Sequence, residues 1–110
     1  MIRGTTPTNT FTVDMDLRTA DVIYITYKQG CTVVVERTKD QLDSITATEL
    51  TLTLTQEETL KFNQNPVHTY STCYTDFVAI QIRARFSNGL AVASNIIKTT
   101  AGEILKDGVI

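Results

Sequence analysis

The 110-residue chain has one histidine, two cysteines, two prolines and no apolar run near the roughly 20 residues needed to span a bilayer. Each scarcity excludes something. Its ten basic residues are scattered singly from Arg3 to Lys106 and the formal net charge is -2, so no cationic stripe is present to neutralise a row of phosphates. Nucleic-acid and membrane partners are not expected. Cys31 and Cys73 have no second cysteine near them, so two thiols are favoured over a disulfide, and no zinc-type spacing is present. The opening MIRGTTPTNT lacks the apolar centre of a secretion signal, which predicts synthesis in the cytosol. No nucleophile–base pair, metal-ligand spacing or phosphate loop is present, so no catalytic residue, metal or cofactor is assigned.

What is abundant is alternation. In Leu50 to Thr55, leucine and threonine trade places with a period of two, the pattern of strands with one dry and one wet face. Phe11, Val13 and Met15 alternate with Thr12, Asp14 and Asp16 as a first strand, and DLRTAD from Asp16 reads as a link. VIYITYK from Val22 and CTVVVER from Cys31 flank Gln29 and Gly30 as a hairpin, with Ile23, Ile25 and Tyr27 on one face and Tyr24 and Thr26 on the other. Val78, Ile80, Ile82, Ala84 and Phe86 form the best amphipathic strand, and its polar face carries Arg83 and Arg85, read as a solvent side. Ser87, Asn88 and Gly89 turn the chain into a return strand over Leu90 to Lys98, with Ile96 and Ile97 as its apolar weight.

One short helical turn interrupts the strands near residues 55–62. Thr55 can cap it and Glu58, three residues on, can answer in a capping box, which leaves Glu57 and Glu58 no catalytic role. The prediction is an all-β fold: a small antiparallel β-sandwich of immunoglobulin-like kind, one domain over 1–110 with an extended N-terminal arm at 1–9. Order in the arm would need a partner. The C-terminal end at Val109 and Ile110 is apolar and can dock on its own domain or on a neighbour.

Among residues that could carry chemistry, His68 stands in a loop beside Pro66 and Tyr70 without local partners, and is read as a surface histidine. Asp14, Asp16 and Asp21 match no calcium loop. Tyr70, Tyr74 and Phe77 cluster with small polar residues, and such rings can stack on a sugar or fill a pocket on a protein, although packing within the fold is favoured.

Three segments, MIRGTTPTNTF, LTLTQEETLKF and VAIQIRARFSNGLAVAS with a downstream LKDGVI, resemble short β-rich proteins encoded by tailed phages and prophages of Gram-positive bacteria. The similarity covers most of the chain in order, and HTYSTCYT from His68 looks like an insertion relative to shorter members. The resemblance implies a structural virion protein, a tail or baseplate assembly module contacting other virion proteins as a homo-oligomer or within a symmetric assembly. Capsid decoration or a head fibre is the neighbouring reading, and a carbohydrate-binding module taking a host-surface glycan is a third. The contact residues expected are Ile2, Arg3, Thr5 and Thr6, the aromatic trio Tyr70, Tyr74 and Phe77, and Val109 with Ile110.

Overall fold

A computed structural model describes residues 1–30, 32–62, 78–99, 106 and 108–110. Its strands are β1 (Thr8–Thr12), β2 (Val22–Gln29), β3 (Thr32–Thr38), β4 (Ser44–Ile45), β5 (Glu49–Thr53), β6 (Val78–Arg85), β7 (Ala91–Ala93) and β8 (Ile97–Thr99). They form two antiparallel sheets, β1-β5-β4 and β3-β2-β6-β7, with β8 also pairing with β6. The fold is a small all-β sandwich. A one-turn helix, α1 (Gln56–Leu60), follows β5, and a 3₁₀ turn spans Lys39–Gln41.

The alternating residues supply the filling between the sheets. Ile23, Ile25 and Tyr27 of β2 join Val78, Ile80, Ile82 and Ala84 of β6 in one buried cluster with Phe11 of β1 and Leu50 and Leu52 of β5. Leu54, just past β5, is buried with them, so the three leucines face the core together as expected. Each fully buried leucine or isoleucine contributes roughly 1.5–3 kcal/mol from leaving water, which is why the period of two fixes which face points inward. Both hairpins turn where glycine was placed: Gly30 has φ 63° and Gly89 φ 90°, left-handed values that a side chain makes costly.

Several expectations are corrected. The first strand runs over Thr8–Thr12 rather than Phe11 to Met15, and Met15 is exposed. Polar Thr8 and Thr10 join it because β5 offers a ladder and matching hydroxyls, with Thr8 and Thr53 Oγ1 atoms 2.9 Å apart. The link DLRTAD is more than a link, since Leu17 and Ala20 are buried in the core.

The N-terminal arm is also held by its own domain. The Leu54 amide donates to the Pro7 carbonyl at 3.0 Å, and Thr59 Oγ1 donates to the Thr5 carbonyl at 2.9 Å. Arg3 donates from Nε to the Phe62 carbonyl at 2.6 Å and from Nη2 to the Leu60 carbonyl at 3.1 Å, satisfying acceptors that the end of α1 leaves open. Those bonds tie the segment to β5 and α1 of its own fold.

The return strand is split. Arg83 faces Ala93 but Ile80 faces Ile97, so three steps along β6 oppose four on the returning chain, a bulge centred on Ser94 to Ile96. Ser94 secures it: its amide donates to the Ile82 carbonyl at 2.8 Å, and its hydroxyl accepts the Ile82 amide at 3.0 Å. Ile97 lies opposite buried Ile80 at the rim of the core, and Ile96 and Ile97 are both exposed.

Candidate functional site

Helix α1 starts as its sequence specifies. Thr55 Oγ1 accepts the Glu58 amide at 3.1 Å, and Glu58 Oε1 accepts the Thr55 amide at 2.9 Å, a reciprocal capping box. Glu58 does more than cap. Arg37, on β3, donates through Nε to Glu58 Oε2 at 2.9 Å and through Nη2 to Glu58 Oε1. The same guanidinium reaches the Thr53 carbonyl at 3.1 Å and the Gln41 carbonyl at 3.3 Å. One side chain thus ties the edge of one sheet to the end of the other and to α1.

Both members of this pair are largely covered, with side-chain exposures of 14% for Arg37 and 18% for Glu58. The Arg37 hydrogen bonds hold the Glu58 carboxyl below its usual range, against the opposing effect of burial. Beside them, buried Tyr27 accepts a hydrogen bond on its hydroxyl from Asn9 Nδ2 at 2.6 Å and packs against the Phe62 ring at 6.2 Å between centroids. Burial pushes the Tyr27 hydroxyl up to about 12. These groups tie the two sheets together, and none of them lines either of the two concave features described next.

Two concave features lie elsewhere. A groove of about 650 Å³ opens between the end of β1 and the β6–β8 side, lined by Thr12, Val13, Asp14, Met15 and Leu17 and by Ile82, Ala84, Val92, Ala93, Ser94, Asn95 and Ile97. Among the described residues Asp14 is its one ionisable lining residue, so they offer apolar contact and no acid–base pair. A depression of about 340 Å³ lies along Val22, Tyr24, Arg83, Ala84, Arg85 and Ala91. Arg83 and Arg85 are exposed there on the outer sheet face, as their spacing predicted, and Tyr24 is 43% exposed opposite Arg83.

Of the contact residues expected from sequence, Ile2, Thr5, Thr6, Val109 and Ile110 are exposed, whereas Arg3 is half-buried against the end of α1. The Ile110 amide donates to Gln56 Oε1 at 2.8 Å, which places the chain's last residue beside α1. Tyr70, Tyr74 and Phe77, with Cys31, Cys73 and His68, lie outside the described residues.

Asp16 is taken up by Arg18, which donates from Nη2 at 2.7 Å and from Nε at 3.0 Å, and these bonds lower its carboxyl to about 2. Among the described residues, no group of three His, Cys, Asp or Glu side chains is placed to hold a metal, and no helix is long and apolar enough to cross a membrane.

No protein-family model matches the chain, and neither a curated protein nor a solved structure shows significant similarity to it.

The sequence concealed two of the groups described above. Arg37 and Glu58 are 21 residues apart and Asn9 and Tyr27 are 18 apart, so no local spacing links them. The only advance signal was Glu58 in a capping box, a position that needs one carboxylate oxygen and leaves the other free for a cation.

Proposed function

We propose that this chain is a structural protein of a tailed-phage virion, a tail or baseplate module that works through protein–protein contacts. The observation that carries the reading is the open side of the sandwich: among the described residues β1 is paired only with β5, and β7 and β8 only with β6, and an apolar groove lies between them. Unpaired strand edges beside an apolar groove suit contact with an extended segment or a neighbouring sheet edge better than they suit catalysis. The resemblance of RGTTPT and LTQEETLKF to phage virion proteins supplies the biological setting.

We further infer an immunoglobulin-like strand plan. With β1, β5 and β4 as strands B, E and D, and β3, β2, β6 and β7 as C′, C, F and G, the two observed orders correspond to that sandwich without its first strand. The groove then occupies the side where strand A would lie, between B and G. An edge position that no described residue fills is suited to assembly.

The test is mass spectrometry of gradient-purified particles induced from the bacterium whose genome encodes the chain. Recovery at a fixed ratio to the major tail proteins supports the reading. Recovery only in the soluble lysate overturns it.

A further inference from the structure

The two outer faces of the sandwich differ in charge. On the β3-β2-β6-β7 sheet, alternation places Lys28, Arg83 and Arg85 outward, and Lys98 of β8 joins them through its pairing with outward Ala79. Among the described residues, the one acid on this face is Glu36, which accepts the Thr26 hydroxyl at 3.0 Å. Arg83 and Arg85 stand two residues apart on one strand, exposed and without an ion-pair partner among the described residues, flanked by short Ala91 and Ala93. Like charges held side by side repel unless something anionic is brought to them.

The other sheet carries the opposite sign. Strands β1, β4 and β5 contain no lysine or arginine, and their outer face presents Thr8, Thr10, Thr12, Thr51 and Thr53 with Glu49 beside Thr12. Asp43 adds a second carboxylate, accepting the Thr53 hydroxyl. The chain thus carries a cationic face and an acidic, threonine-rich face on opposite sides of one sandwich, with a net charge of only -2.

We infer that copies of this chain associate face to back, the Arg83–Arg85 face of one seated on the Glu49–Asp43 face of the next. This deepens the assembly reading and rests on it for its setting. Two-fold pairing through the cationic face is opposed by like charge, so the contact is heterologous and propagates into a ring or a stack. The smaller of the two faces, three strands about 4.8 Å apart and at most about five residues long, covers roughly 240 Å². That is near a third of the roughly 800 Å² per partner of a standard stable interface, so each contact is weak and salt-sensitive, and repetition gives it strength.

Sedimentation of the purified chain, over a concentration series at low and high salt, tests this. The expected result is a mass that climbs past the dimer with concentration, and an association constant that falls about tenfold or more when salt rises from about 0.05 to about 0.5 M. R83E/R85E and D43K/E49K should each stay monomeric and unfold cooperatively, the second at a somewhat lower temperature because Asp43 no longer accepts the Thr53 hydroxyl, and an equimolar mixture of the two should associate again, because the new acids at 83 and 85 then meet the new lysines at 43 and 49 while the unaltered Arg83–Arg85 face of one variant meets the unaltered Asp43–Glu49 face of the other. A wild type that stays monomeric at low salt overturns the inference, as does a species that stops at the dimer, or association that either double variant retains. Particles that contain a chain found monomeric in solution would overturn this inference alone, whereas absence from particles would overturn the virion reading.

Discussion

Replacing Arg37 by alanine is expected to destabilise the fold more than its place on an edge strand suggests. Its guanidinium makes two bonds to Glu58 and one each to the Thr53 and Gln41 carbonyls, at 14% side-chain exposure. An exposed ion pair contributes about 0–1 kcal/mol, whereas removing one partner of a buried pair costs about 3–5. The pair lies between those limits, and Glu58 keeps its bond to the Thr55 amide after the loss. A cost of about 2 kcal/mol is the consequence.

Urea unfolding should show this as a lower midpoint at unchanged slope, and thermal unfolding as a drop of roughly 8–16 °C on the scaling of about 4–8 °C per kcal/mol for a domain near this size. A double-mutant cycle with Glu58→Ala should return a coupling of about 1–2 kcal/mol. The pH dependence has a fixed sign. Because Glu58 is held below its usual range in the fold, its contribution is complete above the ordinary value of 4.5 and is lost as pH falls through the lowered one. The gap between wild type and R37A should therefore narrow in acid. An R37A variant within about 0.5 kcal/mol of wild type at neutral pH would refute the tie between the sheets.

Other perturbations follow from the same packing. Leu52→Ala opens a cavity at a fully buried position and should cost about 2–5 kcal/mol by denaturant titration, while Thr51→Ala beside it on the outer face should cost under about 1. For Tyr27, burial raises the hydroxyl from 10.0 to about 12, so its contribution is complete below pH 10 and is lost as pH climbs towards 12, by up to about 2.7 kcal/mol. Tyr27→Phe should flatten that alkaline fall, at a cost near 1 kcal/mol at neutral pH as Asn9 Nδ2 loses its acceptor; an unchanged alkaline profile contradicts it. Gly89→Ala meets no atom within 4 Å of the added carbon yet forces φ 90° on an alanine, so a loss of about 1 kcal/mol or more should come from backbone strain alone.

The residues legible in advance were those whose position depends on their neighbours in sequence. Leu50, Leu52 and Leu54, the run from Val78 to Ala84, and the Thr55–Glu58 box all lie where local periodicity put them. What escaped depends on distant chain. Thr8 and Thr10 carry no hydrophobic signal, and they are strand only because β5 pairs with them. The bulge at Ser94 answers to the Ile82 amide twelve residues away, and Ile96 and Ile97 beside it are left exposed although both are apolar. Opposite charge on two sheet faces is likewise a property of three-dimensional sorting, since along the sequence Lys28, Arg83, Arg85 and Lys98 are scattered.

The central proposal is a place in a virion, and electron cryomicroscopy of intact particles induced from the bacterium whose genome encodes the chain tests it most directly. The account predicts density for this sandwich in repeated copies on the tail or baseplate, with a neighbour's backbone against the groove between β1 and β7. Particles whose tail, baseplate and capsid are fully assigned to other chains would contradict it.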